Sequence, residues 1–175
     1  MKKTKDYAPM EAGGFDLSDV FAYGEEVSRK VSDRSVIGVA ELIERNGGKF
    51  HYIGYSQFAA HMDIFDKLIY VHAKDKFDVI LPLYALGNEQ CYMMAHELGH
   101  YTLHSGKWKC YAGMGGKSTI EKEANCFALG FLMPSDEFKS AYTKYKGDIN
   151  RLSIHFDVPH RAVKSRVKSL SLQEK

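Results

Sequence analysis

The chain has 175 residues, of which 45% are hydrophobic and 26% are charged, and its formal net charge is +2. This length fits one domain with at most a small appendage, and the composition is that of a soluble globular protein with enough apolar residues for a core. A charge so near zero indicates no particular class of partner. No apolar stretch approaches a membrane span, and no apolar signal core follows the basic N-terminus, so we expect neither a membrane partner nor export.

The three cysteines are Cys91, Cys110 and Cys126, and no two of them form a Cys-x-x-Cys pair. An odd number of cysteines without metal-type spacing is typical of reduced, buried thiols. We therefore expect a cytoplasmic protein without a disulfide framework.

Two helices are predicted in the first third of the chain. A helix capped by Asp16 or Ser18 is predicted to run to about Val31, and a second helix is predicted to end at Gly47-Gly48. The polar residues before the first helix are expected to form a loose lead-in. Residues 1–30 are thus predicted to be an N-terminal extension that contains one helix.

The hydrophobic period then changes from that of a helix to that of a strand. Phe50 and Tyr52 alternate with other residues in a candidate strand. The runs 67–72 and 77–81 are rich in β-branched and aromatic residues, and a polar turn at 73–76 separates them. This pattern predicts a hairpin.

The second half of the chain is predicted to be mainly helical. A helix from Thr119 to Met133 begins with a capping-box pattern, and Pro134 starts another helix. Two short amphipathic segments follow, near 148–156 and 159–170. The glycine-bearing stretch 106–116 is expected to be a loop, and one earlier stretch, 57–66, is ambiguous.

The most informative stretch is His96-Glu97-Leu98-Gly99-His100, within a segment predicted to be helical. Histidines four residues apart project from nearly the same helix face, so both imidazoles can bind one divalent metal ion. Glu97 lies about a quarter turn further round, where it can reach a water at an open metal position. This arrangement is typical of a zinc hydrolase.

The alternative interpretation of this stretch is a buried amphipathic helix without a metal ion, in which burying three ionisable groups without partners would be costly. Gly99 is expected to mark close packing beside the metal face.

A third zinc ligand must come from another part of the chain. The helix predicted at 119–133 offers Glu121 and Glu123, which lie about 200° apart on the helix. Glu121 shares a face with Asn125, which can accept a hydrogen bond from a ligand histidine and fix its tautomer. We therefore predict Glu121 as the third ligand, with a solvated first-turn glutamate as the alternative.

Other residues near the motif have possible supporting roles. If the site hydrolyses a carbonyl compound, Tyr101, His104 and Tyr111 are candidates for stabilising the negatively charged oxygen that forms during the reaction, and none of them stands out. For Tyr101 and His104, as for Asn125, a role in supporting the metal ligands from behind is predicted. The substrate is expected to add as a strand to an exposed edge at Phe77–Leu81.

When the helix with the 96–100 motif and the helix predicted at 119–133 are considered together, the sequence resembles the ImmA/IrrE family of zinc metallopeptidases. The matching stretches are Ala95 to His104, Glu121 to Ala128, Leu132-Met133-Pro134, and the tail from Leu152 to Val167. The resemblance implies a zincin-like fold with zinc bound by His96, His100 and Glu121, and with Glu97 as the catalytic residue. It also implies a cytoplasmic bacterial or phage protein, often acting on a helix-turn-helix repressor.

We accordingly expect an α+β fold, with a small antiparallel sheet beside the active-site helix and further helices. The expected divisions are the N-terminal extension 1–30, a metallopeptidase core at 31–145, and a C-terminal helical element at 146–175 packed on the same domain.

The expected function is that of a zinc-dependent endopeptidase, in which Glu97 acts as general base and the substrate is a helix-turn-helix repressor or a similar regulator. The alternative is a non-proteolytic regulatory protein with a structural or sensory zinc site that binds a repressor or DNA. Nucleic-acid contact would depend on the basic residues of the last segment, which are Arg161, Lys164, Arg166 and Lys168. A solvated basic face on a packed helix is the favoured interpretation of these residues.

Overall fold

The computed structural model describes residues 8–54, 67–83, 85, 87–106, 110–113 and 118–173. These residues form helices and strands in an α+β arrangement. The helices are α1 (Leu17–Arg29), α2 (Val36–Arg45), α3 (Asn88–His104), α4 (Thr119–Leu132), α5 (Ser135–Lys144), α6 (Ile149–Phe156) and α7 (His160–Ser169). The strands are β1 (Ala8–Pro9), β2 (Gly48–Ile53), β3 (Lys67–Ala73), β4 (Lys76–Pro82) and β5 (Cys110–Gly113).

The strands form one sheet in the order β1-β5-β3-β4-β2. The pairs β5–β3 and β3–β4 are antiparallel, whereas β1–β5 and β2–β4 are parallel. The predicted hairpin is confirmed, since β3 and β4 pair through a turn in which Asp75 has φ of 55°. The α+β class is also confirmed, but the sheet is mixed because parallel neighbours cannot be joined by a hairpin and must come from separate parts of the chain.

Strand β4 lies inside the sheet rather than at its edge. It pairs with β3 on one side and with β2 on the other. The prediction that Phe77–Leu81 offers a free edge to the substrate is therefore wrong. Strand β4 is the strand that precedes α3 along the chain, but this order does not decide a strand's position in the sheet, and the edges of the described sheet are β1 and β2.

Two short strands occupy stretches that were expected to be irregular. Ala8–Pro9 pairs with the first two residues of β5, and Met10, which follows, is buried in the core. Strands of two and four residues are too short to show an alternating pattern, so only their pairing reveals them. The ambiguous stretch 57–66 and the remaining parts of the predicted loop, 107–109 and 114–116, lie outside the described residues.

Helix α3 is enclosed between the sheet and α4. Buried side chains on nearly all sides of α3 show that it has no wide solvent-facing stripe. The core around it contains Ile69, Val71, Phe77, Val79, Leu81, Met94, Leu98, Phe127 and Phe131. No helix within the described ranges is both long and apolar enough to cross a membrane.

Helix α1 crosses α4 at two glycines. A Cβ atom on Gly24 would lie 2.4 Å from the carbonyl oxygen of Phe127, and a Cβ atom on Gly130 would lie 2.4 Å from the carbonyl oxygen of Phe21. Real side chains do not approach backbone this closely, so glycine on both helices lets the two backbones touch.

Arg166 is the largest fully buried side chain among the described residues. Its Nε donates to the carbonyl oxygen of Met133, and its Nη2 donates to the carboxylate of Glu25 at 2.5 Å. The same carboxylate accepts hydrogen bonds from the backbone N–H and the hydroxyl of Ser135. Arg166 thus joins α7 to α1 and to the start of α5, and it is not exposed for contact with phosphate.

The other basic residues of α7 lie on its outer side. Arg161 pairs with Glu89 and lies over the ring of Tyr92, 5.3 Å from the centroid, whereas Lys164 and Lys168 are exposed. These contacts support the interpretation of α7 as a packed helix with a solvated basic face.

Contacts cross the proposed divisions of the chain. Gly24 of the extension touches Phe127 of the core, and Glu25 of the extension pairs with Arg166 of the C-terminal element. The division into 1–30, 31–145 and 146–175 stays a prediction.

Replacing Gly130 by alanine should destabilise the protein. The added methyl group would force α1 away from α4, and such overpacking typically costs about 1–3 kcal/mol in the free energy of unfolding. Urea denaturation measures this change. The control is Gly106→Ala, which adds its methyl group in open space and should stay within about 0.5 kcal/mol of the parent. Equal stability of the two variants would show that the helix crossing tolerates a wider spacing.

Replacing Arg166 by leucine should lower the free energy of unfolding by about 3 kcal/mol or more, because the largely buried Glu25 loses its cationic partner. The matched variant Arg161→Leu removes an exposed pair and should cost about 1 kcal/mol at most. Comparable losses in urea denaturation would contradict a structural role specific to Arg166.

Candidate metal centre

Helices α3 and α4 approach each other closely beside the predicted metal site. A Cβ atom on Gly99 would lie 3.1 Å from the carbonyl oxygen of Ala124 and 3.1 Å from a ring carbon of Phe127. A larger residue would push these helices apart, so the small residues set their separation. The expectation that Gly99 marks close packing at this place is confirmed.

The close approach brings three potential ligands together. Among the residues that the structure describes, His96, His100 and Glu121 form the one group of three whose donor atoms all lie within 4.8 Å of one another. The two Nε2 atoms are 3.1 Å apart, and the Glu121 oxygens lie 3.3 Å from His96 Nε2 and 3.2 Å from His100 Nε2. Donors bound to tetrahedral zinc at about 2.0–2.1 Å are roughly 3.3 Å apart. The donor set therefore fits a zinc ion in both type and spacing.

The three groups also influence one another electrostatically. Burial lowers the pKa of His96, but the hydrogen bond to Glu121 and the charges of Glu97 and Glu121 outweigh it, so this pKa lies above its ordinary value. Burial raises the pKa of Glu121, but the hydrogen bonds with His100 and His96 prevail and lower it to about 2. Burial lowers the pKa of His100 to about 4 despite the nearby Glu121. An ionised Glu121 and a neutral His100 are in the states that bind a metal ion.

Glu97 is buried beside these three potential ligands. Burial raises the pKa of its carboxyl group to about 7, with the charge of His96 opposing and that of Glu121 adding to this shift. Its Oε2 atom is buried and has no hydrogen-bond partner within the described residues. A buried carboxylate oxygen without a partner is costly in a structural role, whereas it is expected of a group that acts on water or substrate.

Two of the predicted supporting residues lie next to the predicted ligand histidines. His104 Nδ1 is 3.2 Å from His100 Nδ1, which is the ring nitrogen that faces away from Glu121. Asn125 lies beside His96 and helps to raise its pKa, although its Oδ1 atom accepts a hydrogen bond from the Tyr92 hydroxyl at 2.9 Å.

The structure places Tyr101 elsewhere. Its ring stacks on Phe77 of β4 with centroids 4.0 Å apart, and its hydroxyl interacts with Asp75 in the hairpin turn. These contacts are with the sheet rather than with the metal ligands, because the residue after a ligand histidine is rotated about 100° around the helix. The side chain of Tyr111 lies outside the described part of the chain.

Glu123, which the sequence does not predict to be a ligand, also belongs to this region. Its side chain is fully buried, and its Oε2 atom lies 2.7 Å from His104 Nε2. A helical wheel shows only that Glu123 faces away from Glu121. No sequence signal links Glu123 to a histidine on another helix.

A helix that presents two histidines and a glutamate to a carboxylate from a second helix, beside a small mixed sheet, defines a zincin-like α+β fold. Residues 87–168 match the model of peptidase family M78, described as the IrrE N-terminal-like domain. This match confirms the resemblance to the ImmA/IrrE family over these residues.

The fold also resembles a solved structure titled as a Mycobacterium tuberculosis transcriptional regulator, with a TM-score of 0.59 and 20% sequence identity. The match covers 86% of this chain and 47% of that chain, so this chain spans about half the length of the regulator. At this identity the likeness shows the fold alone. A comparison with curated proteins gives no match.

Zinc affinity should rise with pH. The pKa of His96 is raised, so this ring keeps its proton to a higher pH than an ordinary histidine, and the proton must leave before the nitrogen can bind a metal ion. We expect at least about a tenfold gain in affinity between about pH 5.5 and pH 7.5, measured by competition with a chelator of known proton affinity.

The variant His160→Gln, altered at an exposed histidine of α7, should keep the same pH profile. A flat profile in the parent protein would contradict a metal site that includes His96.

Proposed function

We propose that this protein is a zinc-dependent endopeptidase, with zinc held by His96, His100 and Glu121 and with Glu97 as the general acid and base. The observation that carries the proposal is the convergence of three donor atoms beside a buried carboxylate whose Oε2 has no partner among the described residues. The match to a metallopeptidase family supports the same class of reaction.

The donor set supports zinc as the metal. Two imidazole nitrogens and one carboxylate are a ligand combination of catalytic zinc sites, which keep a fourth position open for water or substrate. When bound, zinc lowers the pKa of a coordinated water and polarises a carbonyl group.

Glu97 is placed to handle the proton of the reaction. In its ionised form it takes a proton from the attacking water, and in its protonated form it returns that proton to the leaving amine. The raised pKa of the buried carboxyl group, about 7 in the metal-free protein, suits a group that must both take and return a proton near neutral pH. A cation nearby would lower this pKa and favour the ionised form.

We propose a helix-turn-helix repressor, or a similar regulator, as the substrate, and a cytoplasmic bacterial or phage setting. The support for this choice is the resemblance to the ImmA/IrrE family, while a peptidase domain by itself supports only a protein substrate. Cleavage of a repressor would separate its DNA-binding part from the remainder and so relieve repression.

The variant Glu97→Gln should bind zinc as the parent does and lose cleavage by about 10²–10⁴-fold, because the amide fills the same space but cannot take a proton. The assay incubates the parent and the variant with the helix-turn-helix protein encoded beside this one, with and without a chelator, and follows fragments by mass spectrometry. Zinc content is measured on the same samples.

The matched control is Glu89→Gln, which alters an exposed glutamate in the first turn of the same helix. It should cleave at the parent rate. If Glu97→Gln keeps the full biological effect on the regulator, the protein acts by binding rather than by proteolysis, and the zinc site is structural or sensory.

A further inference from the structure

A line of hydrogen bonds leads from a predicted metal ligand to the N-terminal part of the chain. His100 Nδ1 lies 3.2 Å from His104 Nδ1, and His104 Nε2 lies 2.7 Å from Glu123 Oε2. The same oxygen accepts a hydrogen bond from the backbone N–H of Gly13 at 3.3 Å. The line therefore connects α3, α4 and the segment that follows β1.

A metal ion bound at His100 would determine where each ring carries its proton. His100 Nε2 faces Glu121 and His96, so it must be free of a proton for a metal ion to bind there, and the proton of the neutral ring is then on Nδ1. That N–H can donate only if His104 Nδ1 accepts. His104 must then carry its own proton on Nε2, which donates to Glu123.

The opposite tautomer of His104 would disrupt this order. With its proton on Nδ1, His104 would present a donor to His100 Nδ1 and favour a proton on His100 Nε2, where the metal ion is expected. A carboxylate at Glu123 prevents this tautomer, because an ionised carboxylate only accepts hydrogen bonds.

Burying His104 and Glu123 costs free energy that a packing role alone does not explain. The side chains of His104 and Glu123 are both fully buried, and Glu123 Oε1 has no hydrogen-bond partner within the described residues. Apolar residues of similar size would fill the space between α3 and α4 with less desolvation. A packing role therefore does not account for a buried histidine and a buried carboxylate held 2.7 Å apart.

We propose that Glu123 is a positioning residue for the metal centre: it holds His104 in the Nε2–H tautomer, and His104 in turn orients the imidazole of His100 with its Nε2 free for the metal ion. The inference rests on the proposed zinc site. Partners of ligand histidines act in this way in other metal sites, where their loss weakens metal affinity or activity by about 10–100-fold. The N–H of Gly13 places the N-terminal segment next to the same carboxylate.

The test measures zinc affinity by chelator competition in the parent, in Glu123→Gln and in the control Glu44→Gln, which alters an exposed glutamate of α2. Glutamine keeps the size of Glu123, but its amide group can turn and donate to His104, which allows the wrong tautomer. We expect Glu123→Gln to bind zinc about tenfold more weakly and Glu44→Gln to bind it as the parent does.

The same substitution in a His104→Leu protein distinguishes a positioning role of Glu123 from a general structural role. In His104→Leu the link to His100 is already broken, so adding Glu123→Gln should weaken zinc binding no further. An unchanged zinc affinity in Glu123→Gln would overturn the proposal. An equal loss in both backgrounds would also overturn it, because Glu123 would then act without His104.

The tautomer can be read directly in the parent protein, even if a variant fails to fold. Nitrogen NMR of the zinc-loaded protein, labelled at its histidines, should show the His104 proton on Nε2 and the His100 proton on Nδ1. A proton on His104 Nδ1 would overturn the proposal. A parent protein that binds no zinc would overturn the metal site as well, whereas loss of the Glu97 mechanism alone would leave this test unaffected.

Discussion

The close packing of α3 against α4 is the constraint on which the site depends. At Gly99 the two helices leave little room for a larger side chain, since even a Cβ atom there would lie only 3.1 Å from the carbonyl oxygen of Ala124, closer than an ordinary contact. Only at this separation can the short side chain of Glu121 reach two imidazoles on the neighbouring helix. Other parts of the fold maintain this arrangement: the sheet supports α3 on one side, and α1 presses on α4 through Gly24 and Gly130.

This packing gives the site its electrostatic character. Several ionisable side chains are buried between the two helices, where charges are poorly solvated and interact strongly with one another. The pKa of Glu97 is consequently raised, whereas the pKa of Glu121 is lowered by its two histidines. The pKa values of two carboxyl groups on adjacent helices are thus shifted in opposite directions. The shift suits Glu97 to exchanging a proton and Glu121 to remaining ionised, as a metal ligand must be.

The surroundings of the site come from both ends of the described chain. Residues 8–13 add a short strand to β5, bury Met10 and bring the Gly13 N–H to Glu123. At the other end, Arg166 binds the Met133 carbonyl at the end of α4 and the carboxylate of Glu25 on α1. Segments far apart in sequence therefore hold α4 in place.

The sequence by itself determined the features that depend on neighbouring residues. Helix periods, the β3–β4 hairpin and the placing of His96 and His100 on one helix face all follow from spacings within a few residues of the chain. The shared face of Glu121 and Asn125 has the same origin. Tertiary structure alone decided that β4 is internal, that Arg166 is buried and that Glu123 meets His104. These features depend on which distant segments come together, and no local period records pairing or burial between residues that are remote in sequence.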